Sequence, residues 1–138
     1  MIREFRWEDL AQVHALWLAC FGALKPEDAE QPLRRTLERN PGLFLVEDID
    51  GRIAGTTLAT TDGRRGFLYH VATHPEFQRR GIAAGLVREA SRRLFAQGVP
   101  VVHLRVAGDN LAAIAFYESL GLASDPPIVG MRLTRGPS

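Results

Sequence analysis

Apolar residues recur along this chain at two spacings, and each change of spacing marks a change of element. Ile2 and Phe5 flank a short first strand. Leu10, Val13, Trp17 and Cys20 then fall at helical intervals, with Glu8 and Asp9 in the first turn, where acids suit the positive end of a helix. The stripe predicts an amphipathic helix with Cys20 as core filler. Pro26 opens a second helical region in which Leu33 and Leu37 share a face, and Asn40, Pro41 and Gly42 stop it. Residues 43–47, 53–61 and 67–73 read as strands separated by turns at Asp50-Gly51 and Asp62-Gly63, which predicts an antiparallel meander.

Beyond the loop that follows, Ile82, Leu86, Ala90 and Leu94 recur every four residues with Arg88, Arg92 and Arg93 on other faces, until Gly98 and Pro100 end the helix. The β-branched run 101–106 predicts a buried strand, parallel to the strand before the helix through a crossover. Asp109 or Asn110 caps a last helix on which Ala113, Phe116, Tyr117 and Leu120 form one stripe, ending at Gly121. Residues 128–133 are expected to add a closing strand. The expected class is α/β (α+β): a mixed, mostly antiparallel central sheet flanked by about four helices, in one domain over residues 1–138.

Composition narrows the function more than the fold. The 138 residues are 46% hydrophobic and 24% charged, enough for one core. Seventeen Lys+Arg against 16 Asp+Glu leave a net charge of +1, so a general nucleic-acid-binding surface is not indicated and any basic character is local. Cys20 is the single cysteine, so no internal disulfide forms. Without an apolar signal core or a run approaching the ~20 residues that span a bilayer, a soluble, cytoplasmic protein with no membrane partner is expected. His14 and His103 lack Cys or carboxylate neighbours at ligand spacing, so no metal site is expected.

The local basic character sits in HPEFQRRGIAAG, residues 74–85, between a strand and a helix. The first N–H groups of a helix have no partner of their own and lie at the positive end of its dipole, a natural seat for phosphate oxygens. Gly81 and Ala83 keep side chains out of the way, while Arg79 and Arg80 add full charges at the rim. The Lys-Ser/Thr pair of a P-loop and the three spaced glycines of a dinucleotide fingerprint are both missing. A pyrophosphate is the candidate ligand; the plainer alternative is a small-residue helix start packed on a strand.

A second motif, DNLAAIAFYESLG at 109–121, sets Asn110 and Tyr117 two helical turns apart on one face. QRRGIA at 78–83 resembles the acyl-CoA loop of the GNAT superfamily of N-acetyltransferases (Gln/Arg, two residues, Gly, one residue, Gly/Ala), and NLAAIAFYESLGL resembles the superfamily's later Asn, Ala-Ile, aromatic-Tyr, Gly motif. Both motifs stand in the right order and separation, and the likeness runs from about Leu43 to Leu122. Within the superfamily the chain looks most like small bacterial members related to the ribosomal-protein alanine acetyltransferases.

The resemblance implies a GNAT-like acyl-CoA N-acyltransferase fold and acetyl-CoA as cosubstrate. Val71, Ala72 and Thr73 would pair by main chain with the pantetheine arm along a splayed strand edge, and the Val71 N–H would serve the oxyanion. Arg79, Arg80, Gly81, Ile82, Ala83 and Ala84 would hold the pyrophosphate, Asn110 the cofactor arm. Tyr117 would protonate the leaving thiolate. The implied reaction is direct transfer to a primary amine, on a small molecule or a peptide N-terminus, through a tetrahedral intermediate.

The base departs from the pattern. Superfamily members often carry Glu or His where this chain has Phe67 and Tyr69, and the alanine acetyltransferases carry Glu where it has Arg105. His70 titrates near neutrality, yet strand alternation would turn it away from Tyr69, so a core role is expected for it. Tyr69 or a water chain is expected to relay the proton. Arg105, read as an interior arginine, either recognises a substrate carboxylate or makes a strand-supporting ion pair. Pro26 to Glu30 (PEDAE) brings three carboxylates to the suspected acceptor rim, either to attract a cationic amine or as a solvated helix start. The missing carboxylates also leave open a non-catalytic acyl-CoA-binding module. Superfamily members are frequently dimers, and a homodimer stays open.

Overall fold

Five strands lie side by side in chain order in the computed structural model, which describes residues 1–136. They are β1 (Ile2–Glu4), β2 (Phe44–Ile49), β3 (Arg52–Thr61), β4 (Gly66–Thr73) and β5 (Val102–His103). Short turns join β2, β3 and β4, so neighbours up to β4 run antiparallel; β5 follows a helix and pairs parallel to β4. With α1 (Leu10–Phe21), α2 (Glu30–Arg39), α3 (Ile82–Ala96) and α4 (Leu111–Ser119), the mixed, mostly antiparallel sheet with four helices is as the sequence leads one to expect. The described chain gathers into two compact units: one, Met1–Arg105, holds the sheet and α1 to α3, and the other, from Val106 onward, holds α4.

In the first unit, α1 and α2 cover one face of the sheet. Val13, Leu16, Trp17 and Leu33 pack there on Phe5, Phe44, Val46, Leu58 and Ala72, all buried. Pro32 is harmless because it sits in the first turn of α2, where no intrahelical N–H bond is lost. The other face takes α3, whose Ile82, Leu86, Ala90 and Leu94 are all buried. Glycine makes that contact close: a Cβ on Gly55 would lie 2.6 Å from Ile82 Cγ2 and 2.9 Å from the Ala72 carbonyl oxygen. Only a bare backbone lets the first turn of α3 sit down on the sheet.

Three expectations fail. Cys20 is exposed; the buried stripe of α1 is Val13, Leu16 and Trp17, and its last turn lies over the end of β4, where Cys20 Sγ donates to the Thr73 carbonyl at 3.3 Å. The run 101–106 yields only the two-residue β5, with Val101 exposed and Val102 and His103 half-buried, because its register with β4 ends at Phe67↔His103. Residues 128–133 form no strand, and Ile128, Val129, Met131 and Leu133 are exposed. Among the described residues no helix is long and apolar enough to cross a membrane.

Candidate functional site

β4 carries the irregularity on which the site depends. Thr56 pairs with Ala72 and Leu58 with Tyr69, so His70 and Val71 together stand opposite Thr57 alone, a β-bulge. His70 takes a positive φ of 50°, a conformation that is rare for a residue with a side chain. The bulge is held from outside the strand. Thr56 Oγ1 donates to the His70 carbonyl at 2.8 Å and accepts the Trp17 indole N–H at 2.9 Å.

The bulge slips the alternation of β4 by one residue. Tyr69, opposite Leu58, and Ala72, opposite Thr56, both face α1, although an unbroken strand would put residues three apart on opposite faces. His70 joins that face: its ring stacks on Trp17 at 4.0 Å and lies 5.3 Å from Phe21. The expectation that His70 points away from Tyr69 is therefore corrected. His70 Nε2 meets Asp28 Oδ1 at 2.8 Å. Asp28 is buried, so within the PEDAE segment only Glu27 and Glu30 are solvated carboxylates.

Main-chain direction alternates as well. The His74 N–H donates to Ala54 in β3, so the groups of Ala72 turn toward β3 and those of Val71 and Thr73 toward the opposite edge. That edge has no strand partner beyond Phe67↔His103 among the described residues. The Thr73 carbonyl is already taken by Gln78 Nε2 at 3.0 Å and by the Cys20 thiol, which leaves Val71 the freer of the two. Between β4 and the segment after β5 lies a cleft of about 120 Å³ lined by Phe67, Leu68, Tyr69, His70, Leu104 and Arg105. Arg105 is exposed rather than interior and makes no ion pair among the described residues; Tyr69 is 46% exposed.

Downstream, the chain turns through Arg79 (φ 64°) and Gly81 (φ 75°), both left-handed, into α3. Gly81 is the N-cap and no side chain caps the helix, so the first N–H groups of α3, beginning at Ile82, Ala83 and Ala84, are left for a ligand. Arg79 and Arg80 are exposed, and the Arg80 guanidinium sits 5.1 Å from the ring centre of the buried Phe77. Backbone donors, a helix dipole and two exposed guanidiniums together suit a pyrophosphate.

In the second unit, Asn110 rather than Asp109 caps α4: its Oδ1 accepts the Ala113 N–H at 3.2 Å, which leaves the amide NH₂ as a donor. Tyr117 lies in the last turn of α4 against Phe116, and burial pushes its phenol above the ordinary tyrosine range. Sequence reasoning missed Thr56 and Trp17 as parts of the site's framework, and took Asp28 for a rim carboxylate rather than the buried partner of His70. No short-range signal marks them, since their partners are up to 42 residues away.

Known proteins share this chain's sequence pattern and fold. The model of the Acetyltransferase (GNAT) family matches residues 10–122. An acetyltransferase of Pectobacterium atrosepticum is 42% identical over 120 residues, which are 86% of this chain and 84% of that protein. Among solved structures, Ard1 from Thermoplasma volcanium superposes with a TM-score of 0.81 at 21% identity, over 91% of this chain and 84% of its own. AAC(6')-Iy, solved in complex with the bisubstrate analogue CoA-S-monomethyl-acetylneamine, gives 0.81 at 16% identity over 97% of each chain. At these identities both structures share the fold with this chain.

Proposed function

The chain belongs to the acetyltransferase (GNAT) family, and on that premise we propose that it moves an acetyl group from acetyl-CoA to a primary amine, on a small molecule or a peptide N-terminus. One observation carries the reading: a β4 edge with no strand partner beyond Phe67↔His103 among the described residues, in a chain that turns at Gly81, eight residues after Thr73, into the uncapped N-terminus of α3. An extended arm with a phosphate end is what such an edge and helix start accept.

In this reading Val71 offers its main chain to the pantetheine arm and its N–H to the thioester oxygen as charge develops there. Residues Arg79 to Ala84 hold the pyrophosphate. Asn110 contributes its amide NH₂. Tyr117, kept protonated by burial, is the acid for the thiolate. Acetyl-CoA supplies the activated acyl group; everything else is positioning and proton movement by the chain. Arg105, exposed and lining the cleft, is a substrate-side cation suited to a carboxylate.

The absence of carboxylates at Phe67, Tyr69 and Arg105 favours a second reading, an acyl-CoA-binding module without turnover. Thermal unfolding with acetyl-CoA, CoA, ATP or NAD tests the binding part. A ligand of the folded state at ~100 times its Kd adds about 2.7 kcal/mol, expected here for the two CoA species alone. Release of free thiol with an amine panel then decides for transfer, and CoA binding with no thiol release decides for the module.

A further inference from the structure

The segment between α1 and α2 folds back under the bulge of β4 and delivers a carboxylate to it. Pro26–Asp28 is a single 3-10 turn, and Asp28 at its end is only 4% exposed. Its Oδ2 accepts the Lys25 N–H at 2.9 Å, its carbonyl oxygen is 2.6 Å from His14 Nε2, and its Oδ1 meets His70 Nε2 at 2.8 Å. A carboxylate only accepts, so the neutral imidazole of His70 carries its proton on Nε2 and its lone pair on Nδ1. Nδ1 has no hydrogen bond among the described residues. The ring is clamped between Trp17 and Phe21, and His70 lines the cleft with Tyr69 and Arg105.

We propose that His70, oriented and charge-balanced by Asp28, accepts the proton of the acceptor amine, a role for which the family's usual carboxylates are missing from this chain; the inference rests on the acetyl-transfer reading above. The amine nitrogen bonds to the thioester carbon, the C–S bond breaks, and the nitrogen's proton passes to His70 Nδ1 while the thiolate takes one from Tyr117. The resulting imidazolium is paired with the buried Asp28 carboxylate and returns its proton to solvent. A buried carboxylate with a main-chain N–H on one oxygen and an imidazole on the other both selects the tautomer and stabilises the cation. Among the described residues, the titratable and charged groups around the ring are Asp28 from the 3-10 turn, His14 from α1 through the Asp28 carbonyl, Tyr69 beside it on β4 and Arg105 across the cleft; β3 contributes the neutral Thr56.

The test uses the whole chain, acetyl-CoA, and two acceptor probes, spermidine and a tripeptide with a free α-amine. Wild-type kcat/KM is expected to fall on the acid side between pH 5 and 8, where an imidazole charges. His70→Gln is expected to lower kcat about 100-fold with KM for acetyl-CoA unchanged and to erase that acid limb. Asp28→Asn is expected to lower kcat and move the limb. His70→Gln with wild-type kcat and an intact limb overturns the proposal. A side-chain ¹⁵N NMR titration of His70 reads the same point without turnover: protonation at Nδ1, in a pair that keeps Nε2–H, supports it, and protonation at Nε2 or no titration between pH 5 and 9 overturns it. Acetyl-CoA raising the unfolding temperature of wild type and both variants keeps failure of the base separate from failure of the acetyl-transfer reading; no rise in wild type defeats both.

Discussion

The Thr56 hydroxyl and the His70 carbonyl, 2.8 Å apart, are what keep β4 bulged. A bulge frees a residue from the ladder, and its main-chain groups then need another partner. The same Thr56 oxygen accepts the Trp17 indole N–H, so one side chain ties α1, β3 and the bulge together.

Replacing Thr56 with valine removes both bonds and leaves a buried indole N–H and a carbonyl unpaired. A loss of about 1–3 kcal/mol in urea unfolding is expected, with a fall in acetyl transfer at saturating acetyl-CoA because the bulge relaxes. Stability within a few tenths of wild type would mean that the ladder, not Thr56, holds the bulge.

Its neighbour gives the opposite expectation. Thr57 is fully buried on the α3 face, and its hydroxyl has no hydrogen-bond partner among the described residues. Thr57→Val keeps the shape and removes a desolvated hydroxyl, so unfolding stability is expected to stay level or rise by about 1 kcal/mol.

Gly55→Ala places a methyl 2.6 Å from Ile82 Cγ2 and 2.9 Å from a carbonyl oxygen, and the backbone oxygen cannot step aside. The first turn of α3 must lift. We expect about 1–3 kcal/mol of destabilisation together with weaker acetyl-CoA binding, measured by calorimetry on the folded variant. Unchanged affinity would separate the helix start from the cofactor.

Tyr117→Phe is expected to cut kcat by about 100-fold or more and to leave the KM for acetyl-CoA near wild type. Since burial raises the phenol, wild-type kcat should hold its plateau past the ordinary tyrosine value before an alkaline limb sets in.

Glu89 is held at about 2, below its ordinary 4.5, by hydrogen bonds from Arg92 and then Arg93 on the same helix. A carboxyl with a depressed folded value contributes stability that is fully present above its unfolded value and is lost as pH falls through the folded one. Glu89→Gln should therefore be less stable than wild type at pH 7, with the gap closing between about pH 4.5 and pH 2. A gap that persists at pH 2 would assign it to packing.

The parts of this protein that were legible in its sequence are those whose causes lie within a few residues. Ile82, Leu86, Ala90 and Leu94 repeat at the helical period and all four are buried, because one stripe suffices to seat a helix on a sheet. Gly81 before that stripe marked a helix start clear of side chains, and the structure adds that the chain enters it left-handed and without a side-chain cap. Asp109 or Asn110 at the head of α4 announced a cap, and Asn110 supplies it. The bulge was not legible, since it arises from the register between β3 and β4 and from a threonine and a tryptophan contributed by other elements. Alternation, a rule for regular strands, therefore misplaced His70. Periodicity likewise put Cys20 in the core and said nothing of Asp28, because burial depends on where a helix end or a turn lies over the sheet. Local periodicity and backbone preference determined the four helices and the strands up to β4. Only tertiary contacts, which fix register and bring together residues tens of positions apart, decided where β4 opens and which imidazole meets a buried carboxylate.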